Sequence, residues 1–142
     1  MDALLALHLV AVGIWIGVVG AEFFIEFDGK HDDASYIKAS KMHYATDIWI
    51  EIPAFLTVLV TGALMLDGSH LEGLFLYKVI FGVAAVIFNL VCVYAVFVRR
   101  RFALAGDIAG MKSTDPAMRL GGAGFIPSFL IAIVLAVISV SA

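Results

Sequence analysis

The sequence predicts an all-α integral membrane protein, a four-helix bundle built as one domain over residues 1–142. Two observations carry this. Of the residues, 63% are hydrophobic and 15% charged, whereas soluble globular domains are about 45–50% apolar. The mean hydropathy is +1.05. In addition, four stretches are long and apolar enough to cross a bilayer, which takes about 20 residues. They cover about 3–25, 45–66, 74–98 and 117–141.

The first span, ALLALHLVAVGIWIGVVGAEFF, has no Lys or Arg ahead of it and is longer than the apolar core of a signal peptide, so it is expected to be retained. Residues 33–43, DASYIKASKMH, read as a helical extension running into the second span. Pro53 in the second span and Pro127 in the fourth are expected to kink their helices. LDGSH closes the second span with a turn. In STDPAMR, Asp115 is the expected N-cap and Pro116 the first helical residue.

Lys30, Lys38 and Lys41 lie in the first connection, and Arg99, Arg100, Arg101, Lys112 and Arg119 in the third; the second carries none. Lys/Arg-rich loops stay in the cytoplasm. The expected orientation therefore has both termini on the outer side of a bacterial inner membrane. Cys92 is the single cysteine, so there is no disulfide framework and no CxxC metal motif. No basic and aromatic interleaving suited to nucleic acid is present.

Residues seven apart on a helix fall within roughly 20° of each other. His8, Trp15 and Glu22 therefore share one stripe of the first span, with Glu26 one turn further. Gly13, Gly17 and Gly20 take the opposite side. Gly13 and Gly17 form a GxxxG pair, the kind of face that allows close helix approach, here against the other spans or a second copy as a homodimer. In the third span Lys78, Gly82, Ala85, Asn89 and Cys92 form a stripe with room beside Lys78 and Asn89. The expected depths give two polar centres. His8 and Lys78 lie near the outer surface, and Glu22, Glu26, His43, Asp47 and Glu51 near the inner one.

ALHLVAVGIWIG, with His8, Trp15 and Gly17, resembles the opening helix of HemJ-type and CopD-type membrane proteins. LYKVIFG, VTGALML and MRLGGAGFIP extend the resemblance along the chain. It implies a small helical bundle associated with haem b and porphyrinogen oxidation, or with copper handling. By position it makes His8 the axial ligand and Lys78 the partner of a haem propionate. Trp15 would line the pocket, and Asn89 is a candidate only through the room in the third-span stripe, which a neighbouring helix or a flat ligand could fill. Two positions depart from the pattern. GAEFFIE is acidic where the HemJ-type helix tends to carry Pro-Arg, and Asn89 stands where a histidine is usual.

Each site also has a plainer reading. His8 can be a histidine bonded to a neighbouring helix and Trp15 a packing residue. Lys78 can pair with Glu72 or Asp67. Glu22, Glu26, His43, Asp47 and Glu51 are carboxylates and an imidazole suited to iron, manganese or zinc, or a capped helix start with His43 and Asp47 in water. Glu22 and Glu51 lie deeper, where a carboxylate is expected to be protonated or paired, across the helices or with Arg99. His31 and His70 read as loop residues, and Tyr36, Tyr44 and Arg99–Arg101 as interface anchors and topology signals. The first functional expectation is a membrane protein binding haem b or a redox metal such as iron or copper, in electron transfer or oxidation. The alternative is metal or proton transport or metal binding at the acidic cluster. A third is a non-catalytic membrane subunit.

Overall fold

The computed structural model describes residues 3–68 and 72–141. The described residues are all-helical, and four helices among them are long and apolar enough to cross a membrane. This is the fold class the sequence predicts. The helices are α1 (Ala3–Asp28), α2 (Asp33–Thr46), a π-helical turn (Asp47–Glu51), α3 (Ile52–Leu64), α4 (Gly73–Ala105), α5 (Ile108–Lys112) and α6 (Asp115–Ser141). Large apolar side chains face outward on the long helices: Leu7, Val10 and Ile14 on α1, Ile87 and Leu90 on α4, Leu130 and Val134 on α6. An exposed apolar surface of this extent belongs in lipid.

The chain forms two compact units. One comprises Met1–Met65 with Val93–Asp115, the other Leu66–Cys92 with Pro116–Ala142. In the first, α1 packs on α2 and α3. Ala11, Trp15, Val18 and Glu22 form the buried stripe of α1, the seven-residue pattern legible in the sequence. Trp15 meets Phe55 of α3, ring centroids 6.0 Å apart. Gly13, Gly17 and Gly20 are exposed, with open space where a Cβ would stand. The turn into α2 is tight because a Cβ at Gly29 would sit 2.5 Å from Ala39 Cβ. Asp32 caps α2 by accepting from the Ser35 amide at 2.7 Å, and this bond holds its carboxyl below the usual range.

The predicted kink at Pro53 takes a different form. The Ile52 amide donates five residues back, to Asp47 O, so the turn ahead of Pro53 is widened. A proline ring crowds the carbonyl four residues before it in an α-helix, and a wider turn relieves that crowding. α6 continues through Pro127. The third connection also differs from expectation. α4 runs through the arginine run to Ala105 and ends at Gly106, whose φ of +69° suits glycine. Asp107 then caps α5 through the Gly110 amide at 2.8 Å. Asp115 is the first residue of α6 rather than its cap, and its carboxylate accepts from the Tyr36 hydroxyl at 2.8 Å.

In the second unit α6 lies against α4 through glycines. A Cβ at Gly121 would stand 2.3 Å from Cys92 Sγ and 2.9 Å from the backbone oxygen of Phe88. At Gly122 it would meet nothing within 4 Å. Gly121→Ala is therefore expected to destabilise by about 1–3 kcal/mol, the usual cost of overpacking. Gly122→Ala is expected to be neutral or to stabilise by up to about 1 kcal/mol through helix propensity. Unfolding in mixed micelles separates the two, and equal effects would refute the close packing at Gly121.

Candidate metal centre

The site is built from one face of α1 and the matching face of α2 and the π-turn. Glu22 and Glu26 are one helical turn apart, so both carboxyls leave α1 on the same side. The Gly29 turn returns the chain antiparallel to α1 and sets His43 beside them. Asp47 and Glu51 follow from the π-turn. π-turns occur disproportionately at functional sites, and this one holds two carboxylates that are 0% and 2% exposed. Glu22 and His43 are buried too. The reading of His43 and Asp47 as part of a solvated helix start is thus not what forms.

His43 is the hub. Its Nδ1 lies 2.6 Å from Glu26 Oε1. A carboxylate only accepts, so Nδ1 carries the proton. Its Nε2 lies 3.4 Å from Glu22 Oε2 and 3.6 Å from Asp47 Oδ1. Glu22 is held from its other oxygen, where the Thr46 hydroxyl stands 2.7 Å from Oε1. Glu26 is held by Arg99 of α4. Nη1 donates to Oε2 at 2.9 Å and Nη2 to Oε1, a fork on both oxygens. Asp47 is different. Neither of its oxygens meets an N–H or hydroxyl donor among the described residues, and the Glu51 carboxyl lies against it, placed to share a proton between the two.

One ligand atom from each of Glu22, His43 and Asp47 lies within 4.8 Å of the other two. Tetrahedral ligands about 2.1 Å from a metal lie about 3.4 Å from one another, close to the two separations around Nε2. Charge points the same way. Glu22, Glu26, Asp47 and Glu51 bring four carboxyl groups to this region, against Arg99 and His43. If all four are ionised, anions exceed cations by at least two. Buried charge in a membrane has to be balanced by protons, ion pairs or a bound cation.

Thr46 is the member that the sequence does not point to, and Arg99 is expected against Glu22 or Glu51. Arg99 is 1% exposed and pairs with Glu26, not with Glu22 or Glu51. Its position was legible in the stripe of α4, where Asn89, Val96 and Ala103 are also buried. Tyr36 and Tyr44 are tied in as well. Arg99 lies 5.5 Å from the Tyr36 ring, and Tyr44 packs on Phe97 at 4.9 Å.

The other predicted residues lie elsewhere. His8 is half-buried in the first unit, its Nδ1 2.8 Å from Thr61 Oγ1. The Thr61 hydroxyl donates to Thr57 O at 2.6 Å, so its oxygen accepts the Nδ1 proton of His8. Trp15 is core packing in the same unit. Lys78 and Asn89 belong to the second unit. Lys78 Nζ sits over the Phe75 ring at 4.4 Å, and Asn89 is buried with no hydrogen-bond partner for Nδ2 among the described residues. His31 is exposed, 3.9 Å from Asp28. His70 lies outside the described residues. No family model, no curated protein and no solved structure matches the chain.

Proposed function

We propose that this chain is a metal-handling protein of the bacterial inner membrane, with both termini outside. Glu22, His43 and Asp47 would hold a divalent transition-metal ion near the cytoplasmic side. The observation that supports this reading best is Asp47, a fully buried carboxylate that meets no N–H or hydroxyl donor among the described residues and has a second carboxyl, Glu51, against it. It lies 3.6 Å from the imidazole nitrogen that also faces Glu22. One imidazole with carboxylates suits manganese, iron, cobalt or zinc, whereas all-oxygen sites suit magnesium and calcium. Glu51 adds a further carboxylate beside Asp47. The di-iron bundles use Glu-x-x-His pairs, a spacing this chain lacks, so a single ion is the simpler occupant.

A second reading has its own observation. His8 donates from Nδ1 to Thr61, which makes Nε2 the basic nitrogen. An axial haem ligand needs that orientation. This reading, in which the protein binds haem b, keeps the resemblance to HemJ-type and CopD-type proteins.

One experiment separates the two. Protein purified without chelator is analysed for metal content and its optical spectrum is recorded, oxidised and reduced. The metal-centre reading expects about one transition-metal ion per chain and loss of it in His43→Ala. A Soret band that survives His43→Ala and disappears in His8→Ala supports haem instead. Metal content unchanged in His43→Ala would sink the first reading.

A further inference from the structure

A histidine can present either ring nitrogen to a metal, and which one it presents is set by the bond at the other. At His43 that bond is unambiguous. Glu26 accepts from Nδ1 at 2.6 Å, while Nε2 faces Glu22 and Asp47. Glu26 has no freedom to turn away, because Arg99 grips both of its oxygens. Arg99 is in turn fixed from α4, a different span, and is buried to 1% exposure. The Thr46 hydroxyl, which also bonds the His43 carbonyl at 2.7 Å, lies against Oε1 of Glu22 and leaves Oε2 toward His43. Three side chains that face the proposed ion through no atom of their own thus orient two of its ligands.

We propose that Glu26 and Arg99 form a positioning pair that makes Nε2 of His43 the metal-binding nitrogen. This rests on the metal-centre reading above. Glu26 is not a ligand. Its negative charge is already matched by Arg99, so it adds basicity to the imidazole without adding net charge to the site. Carboxylate partners of ligating histidines act in this way, and their loss typically lowers metal affinity 10–100-fold. Of the five residues suited to metal ligation, Glu26 therefore belongs to the supporting frame, with Glu22, His43 and Asp47 left to meet the ion. The ion class that fits is a divalent first-row metal, or cadmium as its spectroscopic substitute.

The first test needs no substitution. Full-length protein carrying 15N-labelled histidine is loaded with 113Cd in micelles, and nitrogen–cadmium coupling is read by NMR. The expected result is coupling at Nε2 of His43 and a proton on Nδ1. Coupling at Nδ1, or cadmium held with no coupling to His43, overturns the proposal. A protein that takes up no cadmium and carries no metal overturns the metal-centre reading, and this inference with it. The second test is Glu26→Gln, assayed for cadmium affinity and stoichiometry. A 10–100-fold weaker affinity with one ion still bound is expected. Unchanged affinity overturns the positioning role while leaving the metal centre intact.

Discussion

Arg99→Leu is expected to destabilise the protein by about 3–5 kcal/mol, the usual result of removing one partner of a buried ion pair. The same change at the two arginines beside it should do far less. Arg99 is 1% exposed and binds Glu26 with both terminal nitrogens. Without it, Glu26 keeps only the His43 bond in a region already rich in carboxylates. Arg100 lies 4.1 Å from the Tyr44 ring, a contact worth about 0.5–1 kcal/mol. Arg101 is exposed, and surface substitutions usually stay within about 0.5 kcal/mol. A double-mutant cycle pairing Arg99→Leu with Glu26→Gln should give a coupling of about 1–3 kcal/mol. Chemical unfolding of the single variants in mixed micelles decides it. If Arg99→Leu and Arg101→Leu unfold together, the ion pair is not a structural element.

Asp47→Asn should move stability in opposite directions depending on metal. In the metal-free protein, Asp47 is a buried carboxyl crowded by two others, Glu22 and Glu51, with no N–H or hydroxyl donor among the described residues to offset them. Replacing it with a neutral amide of the same shape removes like-charge repulsion. A gain of about 1–3 kcal/mol is expected, the scale of a buried group left unsatisfied. With metal present the order reverses. A ligand that binds only the folded state adds about 2.7 kcal/mol at a hundred times its Kd. Wild type gains this and Asp47→Asn does not. Thermal unfolding with and without zinc reads both effects. Equal stabilisation of the two proteins by zinc would remove Asp47 from the ligand set.

The parts of the site that the sequence reveals are those written in helical spacing. His8, Trp15 and Glu22 at intervals of seven mark the inward stripe of α1, of which the structure buries Trp15 and Glu22 and leaves His8 half-buried. His43, Asp47 and Glu51 at intervals of four keep to one face, even though the last two lie in a π-turn. The turn itself was not legible. Over five residues, a period of about 4.4 cannot be told from 3.6, and only Pro53 hinted at a change of backbone. Arg99 was legible as a possible carboxylate partner, but its difference from the two arginines beside it was not. A run of three arginines at the end of an apolar stretch is a topology signal, and that reading makes all three equivalent. Their separate fates follow from the angle each takes on α4, a helix that continues beyond its apolar run. The Thr46 and Glu26 bonds depend on rotamers, which no spacing rule supplies.

The pairing of Glu26 with Arg99 spans 73 positions of the chain. In the order of synthesis, the helices carrying Glu22, Glu26, Asp47 and Glu51 leave the ribosome well before the helix carrying Arg99. During that interval the one basic side chain seen against Glu22, Glu26 and Asp47 among the described residues is His43. The first helical hairpin thus enters the bilayer with its carboxyls protonated, metal-bound or held at the water interface, and it gains its permanent counter-charge only when α4 arrives. The charge balance of the acidic half is thus completed from a later part of the chain, by a single arginine.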